Sequence, residues 1–140
     1  MHRFPSQGWM EAYKNAINYD LAYRQLAEPW TFGSVALIIQ GDLSLGFERD
    51  TGVILDVHEG KCHRAKFVEG HGRPPEAEFV IVGSYQHWKD IIERRLDPTK
   101  AMLEGRLKVA RGHLPTLIKF REASRQLVAS ASRVPTEFLV

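Results

Sequence analysis

The chain is short of several features that would indicate a particular chemistry or compartment. Cys62 is its single cysteine, so an internal disulfide and a cysteine-based zinc cluster are both excluded. The first residues lack the apolar segment of a signal peptide. No apolar run approaches the roughly 20 residues that cross a bilayer. A reduced, cytoplasmic protein without a membrane span is therefore expected.

Charge of one sign is also scarce. Nineteen basic and 17 acidic residues leave a formal charge of +2, and binding to nucleic acid would need a concentrated basic stripe. The short basic runs at 93–95 and 106–111 are interpreted as solvated faces. Their alternative is contact with an anionic lipid head group or a coenzyme phosphate. We expect no nucleic-acid partner and at most transient contact with a membrane surface.

Motifs that would indicate a reaction are missing. Neither Gly-x-Gly-x-x-Gly nor a Gly-Lys-Ser/Thr phosphate loop occurs. Ser84 follows Gly83 without the spacing of a Gly-x-Ser-x-Gly nucleophile elbow, and it suits the N-cap of a helix better. His58, Cys62 and His63 match no zinc pattern. The sequence therefore predicts no catalytic residue, no metal and no cofactor.

The size and composition suit a single domain over residues 1–140. With 140 residues, of which 44% are apolar, the chain is long enough for one core and a modest internal pocket. Internal repeats, linkers and low-complexity segments are not found.

The spacing of apolar residues predicts an alternation of helices and strands. Asp97-Pro98 is a clear helix start, with the acid as N-cap and proline in the first turn. Helices are predicted over 8–28, after Ser84, from Pro98 to Gly105, and from Pro115 onward. Strands are predicted over 32–40, 45–49, 53–58, 61–68, 77–82 and 106–109, with a loop over 69–76.

This order of elements predicts an α+β fold. About five or six strands, mostly antiparallel, would be covered on one face by about four or five helices. The strand that contains Val35, Leu37 and Ile39 is apolar on both faces, which favours a central position in the sheet.

The stretch from 79 to 109 is the most specific pattern in the chain. It contains Phe79-Val80-Ile81-Val82, then Trp88, then Leu96-Asp97-Pro98-Thr99-Lys100-Ala101-Met102-Leu103-Glu104-Gly105-Arg106-Leu107-Lys108-Val109. It resembles the sterol carrier protein 2 (SCP2) family, where Gly-x-hydrophobic-Asp/Asn-Pro opens a short helix and Gly-Lys-Leu-Lys-hydrophobic follows. Here Arg95 replaces the first glycine of that pattern. The upstream order of elements fits the same fold over nearly the whole chain.

One departure from the family pattern lies before the last helix. The chain has Ala110-Arg111 ahead of Gly112, one residue more than is usual in the family. An extra residue in a strand predicts a bulge that re-aims the element that follows. Ligand preference is therefore less transferable from the family than the fold.

The resemblance implies helices packed on a sheet around an apolar tunnel that holds a sterol, a fatty acid or a fatty acyl-coenzyme A. Ordinary core packing is the alternative for each residue. The residues expected to face the tunnel are Trp88, Ile91, Ile92, Met102, Leu103, Leu107, Leu114, Leu117, Ile118 and Phe120.

Three hypotheses about function are carried forward. The first is a non-enzymatic domain that binds or carries a hydrophobic ligand. The second is an accessory or dimerisation module that kept the fold without lipid transfer, and a homodimer is left open. The third is an enzyme that acts on an acyl thioester through Cys62 or His87.

Overall fold

The computed structural model of the protein describes residues 1–70 and 75–140. The loop predicted over 69–76 includes 71–74, which lie outside the described residues. The helices are α1 Gln7–Tyr19, α2 Leu21–Leu26, α3 Tyr85–Ile92, α4 Pro98–Leu103, α5 Leu114–Lys119 and α6 Arg121–Ala129. The strands are β1 His2–Arg3, β2 Val35–Ile39, β3 Thr51–His58, β4 Lys61–Glu69, β5 Phe79–Gly83, β6 Leu107–Arg111 and β7 Thr136–Glu137.

Five of these strands form one mostly antiparallel sheet in the order β4-β3-β2-β5-β6. Strands β2 and β5 are parallel, and the other neighbours are antiparallel. Strand β2 lies at the centre of this order, as its two apolar faces predicted. Val35 and Ile39 belong to the main core under the helices, whereas Ala36 and Ile38 belong to a small cluster on the opposite face. The predicted α+β fold is confirmed.

The first predicted helix is interrupted at Asp20. This residue adopts φ −86° and ψ 104°, and its carboxylate accepts the Tyr23 backbone N–H as the N-cap of α2. The same carboxylate accepts a hydrogen bond from Arg133 at 2.8 Å. An aspartate that caps a new helix and pairs with a distant cation is better satisfied outside a helix than within one.

The last predicted helix is also interrupted, at Phe120 between α5 and α6. Its backbone has φ −97° and ψ 27°, and its ring packs edge-on against Trp30 with a centroid distance of 5.1 Å. Burial of the ring therefore accompanies the change of helix direction. Because of these two breaks, the described residues contain six α-helices where four or five were predicted.

The strand predicted over 45–49 is wrong. Leu43–Leu45 form a single 3₁₀ turn, and Asp42 and Phe47 make an isolated bridge. The Asp42 carboxylate accepts hydrogen bonds from both the backbone N–H and the hydroxyl of Ser44. Such local side-chain bonds compete with strand pairing.

The start of α4 follows the prediction closely. The Asp97 carboxylate accepts the Lys100 backbone N–H at 2.9 Å, and Pro98 occupies the first turn. The residue that replaces the glycine of the family pattern is, however, Arg94 and not Arg95. Arg94 has φ +63°, in the left-handed region that glycine adopts at least cost, and counting back from Leu96-Asp97-Pro98 gives the same position.

The extra residue in β6 forms the predicted bulge. Ile81 pairs with Val109 and Val80 pairs with Arg111, so Ala110 has no partner on β5. Gly112 follows with φ +109°, and a Cβ there would lie 2.4 Å from Cδ2 of Phe79. The chain therefore turns from the bulge directly into α5.

Helix α1 covers the free edge of the sheet at β4. The Asn18 side chain donates to the Cys62 carbonyl and accepts its backbone N–H, both at 2.8 Å. The Gln7 side chain accepts the Phe67 N–H at 3.0 Å. These amides occupy backbone groups that an exposed edge would leave open. Within residues 1–70 and 75–140, no helix is long and apolar enough to cross a membrane.

Candidate functional site

An apolar cavity of about 50 Å³ lies between the sheet and the helices α2 and α3–α6. We call it the larger cavity. Leu37 and Ile81 form part of its floor on the sheet, and α4 and α6 form much of its roof. Its walls consist of Tyr23, Ala27, Trp30, Val35, Leu37, Val57, Ile81, Trp88, Pro98, Met102, Leu107, Leu117, Phe120, Ala123, Ser124, Leu127 and Val128.

A second cavity of about 30 Å³ lies toward the N-terminal end of the fold. We call it the smaller cavity. Leu37, Trp88 and Val128 line both cavities, and the Trp88 indole is held by donation of Nε1–H to the Ile38 carbonyl at 2.8 Å. The smaller cavity is lined by Phe4, Trp9, Met10, Tyr13, Leu37, Ile39, Gly52, Val53, Trp88, Ile91, Ile92, Val128 and Ala131.

Neither cavity has room for a lipid as it stands. Ligand pockets generally measure roughly 300 Å³ or more, and the larger cavity measures about 50 Å³. Binding of a chain or a sterol therefore requires the walls to move outward. Met102 and Val128 are half-buried on the roof, and the unbranched thioether of methionine repacks readily.

The lining of both cavities is uncharged. Among the described residues, no Asp, Glu, Lys, Arg or His side chain lines either one. An ion without a partner is strongly disfavoured in such surroundings. The hydroxyl-bearing residues of the larger cavity are Tyr23 and Ser124, and burial raises the pKa of Tyr23 above its ordinary value, so its hydroxyl stays neutral.

The structure divides the ten predicted site residues into three groups. The first group lines the larger cavity: Trp88, Met102, Leu107, Leu117 and Phe120. The second lines the smaller cavity: Ile91 and Ile92, with Trp88 in common. The third lines neither: Leu103, Leu114 and Ile118.

The three residues that line neither cavity point in other directions from their helices than the residues that do. Leu103 is 64% exposed, whereas Ala101 is fully buried. In the single turn and a half of α4, Pro98 and Met102 face the cavity at a spacing of four residues, which directs Leu103 outward. Leu114 and Ile118 are half-buried on α5, where Leu117 faces the interior.

The sequence interpretation missed the contribution of the N-terminal half. Tyr23 on α2 and Ala27 at its C-terminal end line the larger cavity, together with Trp30. It also missed the role of α6, where Ala123, Ser124, Leu127 and Val128 face the cavity. The available signal was the spacing of 3 and 4 residues that continues from Phe120, with a serine inside an otherwise apolar stripe.

The two residues named for thioester chemistry lie apart from both cavities. Cys62 is fully buried, and burial raises the pKa of its thiol to about 11, so it is protonated at neutral pH. Nδ1 of His87 lies 3.1 Å from the Arg106 carbonyl. Neither side chain lines a cavity.

The residues considered for a metal site do not converge. Cys62 faces the interior while His63 is exposed on the same strand, and His58 contacts Glu59 at 2.8 Å. In the part of the chain that the structure describes, no three His, Cys, Asp or Glu side chains lie where they could hold a metal ion.

One known protein family and several solved structures resemble this chain over most of its length. The SCP-2 sterol transfer family matches residues 20–123. A crystal structure of sterol carrier protein 2 has a TM-score of 0.86 and 36% identity, and the match covers 92% of this chain and 97% of that one. No curated protein is significantly similar in sequence.

Two further structures extend the comparison. A Thermus thermophilus protein, described as possibly a sterol carrier protein, has a TM-score of 0.86 and 35% identity over 94% of this chain and 90% of that one. Sterol carrier protein 2 from Yarrowia lipolytica has a TM-score of 0.54 and 12% identity over 89% of each chain. The second likeness concerns the fold alone.

Proposed function

The chain belongs to the SCP-2 sterol transfer family, and from that premise we propose that it binds one hydrophobic ligand in the larger cavity and carries it unchanged. The ligand classes that fit are a sterol, a fatty acid or the acyl chain of a fatty acyl-coenzyme A. The observation that carries the proposal is the apolar, uncharged cavity between the sheet and α6. Such a site favours a molecule by its apolar surface.

The energy of binding would come from the buried chain. Each methylene transferred from water gains about 0.8 kcal/mol, so a long chain offsets a substantial cost of moving the roof. Helix α4 and helix α5 contain six residues each. Helices this short hold their position by packing more than by their own stability, which supports them as the parts that move.

The proposed contacts follow from the geometry. Trp88, Met102, Leu107, Leu117 and Phe120 would touch the ligand in the larger cavity. A longer ligand would displace the half-buried Val128 side chain and extend toward Ile91 and Ile92, while Trp88 keeps its place through its hydrogen bond to Ile38. The shared lining residues support this second step, because they lie at the junction of the two spaces.

Carriage without chemistry is part of the proposal. The lining offers hydroxyl groups but no charged acid or base, and the buried Cys62 thiol is protonated at neutral pH. Replacement of both Cys62 and His87 is therefore expected to leave ligand binding unchanged. A thioesterase activity that disappears with that replacement would contradict this part of the proposal.

Native mass spectrometry of the freshly purified protein tests the central claim. We expect a species above the 16.0 kDa chain by the mass of one lipid, and displacement of a fluorescent fatty acid by the ligand classes named above. The failure of a sterol, a fatty acid and an acyl-coenzyme A to bind would contradict the proposal.

A matched pair of variants locates the site. Ala123→Leu places a larger side chain in the wall of the larger cavity, and we expect it to weaken ligand binding at least tenfold. Ala22→Leu makes the same change at an exposed position on α2 and should leave binding unaltered. Equal affinities in the two variants would place the ligand elsewhere.

A further inference from the structure

Three tyrosines are buried, and their hydroxyls differ in how they are satisfied. The Tyr13 hydroxyl donates to the Leu127 carbonyl at 2.8 Å. The Tyr85 hydroxyl donates to the Phe4 carbonyl at 3.0 Å and accepts the Leu139 N–H at 2.9 Å. Tyr23 is only 3% exposed, yet its hydroxyl makes no hydrogen bond to any described residue. The Tyr23 hydroxyl is not fully enclosed by protein, because Oγ1 of Thr99 is the enclosed side-chain N or O atom without a hydrogen bond in the described ranges. A water molecule or a ligand can therefore reach it and supply the missing hydrogen bond.

Ser124 presents the same contrast on α6. A serine inside a helix commonly donates to the carbonyl four residues earlier, and Ser130 does so to Gln126 at 3.1 Å. Within the described part of the chain, the Ser124 hydroxyl makes no hydrogen bond. Ser124 is half-buried and lines the larger cavity, as does Tyr23. Helices α2 and α6 pack against each other, so the two residues lie on neighbouring elements of the cavity lining.

The surroundings limit what could satisfy these hydroxyls. An ionised carboxylate would need a cation or several donors, and among the described residues no Lys, Arg or His lines this cavity. An uncharged oxygen needs only one or two hydrogen bonds, which a tyrosine and a serine can supply as donors or acceptors.

We propose that Tyr23 and Ser124 form a polar end of the larger cavity that binds an uncharged oxygen atom of the lipid, either an alcohol hydroxyl or an ester-type carbonyl. This inference rests on the proposed carriage of a hydrophobic ligand and adds the chemical class of its polar group. The rest of the ligand lies against the apolar floor, so the two hydroxyls fix which end enters first.

A buried water is the competing occupant. A cavity of about 50 Å³ is large enough for a water molecule, which could bond to both hydroxyls in the absence of a ligand. If water stays there in the complex, replacement of the hydroxyls changes the Kd of a hydrocarbon and the Kd of an alcohol by the same factor. If the ligand oxygen displaces it, the effect depends on the ligand.

The experiment compares four ligands with the same chain length: hexadecane, 1-hexadecanol, methyl palmitate and palmitate at pH 9, each delivered from cyclodextrin. Their Kd values are measured by displacement of a fluorescent probe from the wild type, Tyr23→Phe and Ser124→Ala. The ratio of variant Kd to wild-type Kd cancels the different solubilities of the ligands.

We expect each variant to raise the Kd of the alcohol, of the ester or of both by about three- to tenfold. The hexadecane Kd should change by less than about twofold, and palmitate should follow hexadecane because its carboxylate stays outside the cavity. A larger loss of affinity for the alcohol identifies a hydroxyl as the preferred group, and a larger loss for the ester identifies a carbonyl. Tyr85→Phe, which removes a hydroxyl away from both cavities, should leave all four Kd values unchanged.

Two results would overturn the inference while leaving carriage intact. One is an equal ratio for hexadecane and the oxygen-bearing ligands, which assigns the hydroxyls to water or to packing. The other is a larger loss for palmitate than for the alcohol and the ester, which assigns the site to a charged group. If none of the four ligands binds the wild type, this inference is overturned, and the proposed function itself fails if a sterol and an acyl-coenzyme A do not bind either.

Discussion

The smaller and larger cavities share three side chains but are held in different ways. Around the smaller cavity, polar atoms of the aromatic residues are paired: Nε1–H of Trp9 donates to Oγ1 of Thr136 at 2.9 Å, and the Tyr13 hydroxyl is bonded as well. The rings of Phe4 and Trp9 meet edge to face with a centroid distance of 4.7 Å. Strands β1 and β7 pair beside them. This region is built as a fixed core.

The larger cavity has looser boundaries. Two of its hydroxyls are unpaired among the described residues, and α4 and α5 on its border are only six residues long. At the start of α5, the N-cap His113 accepts no backbone N–H of the helix, and its Nδ1 lies 3.0 Å from Oγ1 of Thr116 instead. The contrast supports the proposal that the larger cavity opens for a ligand while the region around the smaller cavity keeps its shape.

Replacement of Asp20 is expected to have the largest effect on stability, because this residue anchors α2 to the region around the smaller cavity. Its carboxylate, 6% exposed, caps α2 and accepts hydrogen bonds from Arg133 and Ser130. Asp20→Ala should lower the free energy of unfolding by about 2–4 kcal/mol, the sum of a lost cap and lost charge-assisted bonds. Urea denaturation at pH 7 measures it. Asp20→Asn keeps a capping oxygen and should lose less than Asp20→Ala.

The same contact gives a pH dependence with a defined sign. Burial alone would raise the pKa of Asp20, but the hydrogen bonds from Arg133, from the Tyr23 N–H and from Ser130 hold it below its ordinary value. Its contribution to stability is therefore complete above about pH 4 and is lost as the pH falls through the lowered pKa. The difference between the wild type and Asp20→Asn should shrink there. A constant difference from pH 7 to pH 2 would contradict this.

Filling each cavity compares the two regions directly. Ala131→Leu inserts a branched side chain beside the fixed aromatic cluster and should cost about 1–3 kcal/mol of stability through overpacking. Ala123→Leu inserts the same group into the larger cavity and should cost less than about 1 kcal/mol, since the wall there has room to shift. Thermal and urea unfolding of both variants test the difference. Similar losses in the two variants would remove the distinction between the cavities.

Much of this architecture was predictable from local sequence signals. Asp97-Pro98 specified the start of α4 because an N-cap acid and a first-turn proline act within one turn of helix. The two apolar faces of β2 specified its central position, and the extra residue before Gly112 specified the bulge at Ala110. Each of these features depends on residues that are close in sequence.

The errors arose where distant contacts decide. The break at Asp20 depends on Arg133 and Ser130, which lie more than 100 residues away, and the break at Phe120 accompanies its packing on Trp30. The cavity walls contributed by Tyr23 and Ala27 could not be assigned, because helical spacing shows which face of α2 is apolar but not what it faces. A residue on a cavity wall and one in a filled core have the same sequence pattern.

Tyrosine replacements test the same comparison between the two cavities through smaller changes in the free energy of unfolding. Tyr13→Phe and Tyr85→Phe each remove a hydrogen bond to a backbone carbonyl, so each should cost about 1 kcal/mol. Tyr23→Phe removes a hydroxyl without a protein partner and should leave stability within about 0.5 kcal/mol of the wild type. Urea denaturation of the ligand-free proteins measures the set. A loss of about 1 kcal/mol or more in Tyr23→Phe would show that its hydroxyl is already satisfied.

The smallest effect is expected at Thr99, on the first turn of α4. Thr99 is 6% exposed, and in the described ranges its Oγ1 is the fully enclosed side-chain N or O atom without a hydrogen bond. Replacing such a hydroxyl by a methyl group of the same shape removes a desolvation cost. Thr99→Val should therefore be neutral or stabilise the protein by up to about 1 kcal/mol, as measured by urea denaturation.

Thr136→Val is the matched control in the fixed region. Oγ1 of Thr136 accepts from Nε1–H of Trp9 and donates to the Val134 carbonyl, so its loss leaves two polar groups unpaired and should cost about 1–2 kcal/mol. The same chemical change would then have opposite signs at the two ends of the interior. A Thr99→Val variant that loses as much stability as Thr136→Val would mean that the polar groups beside the larger cavity are as fully paired as those beside the smaller one.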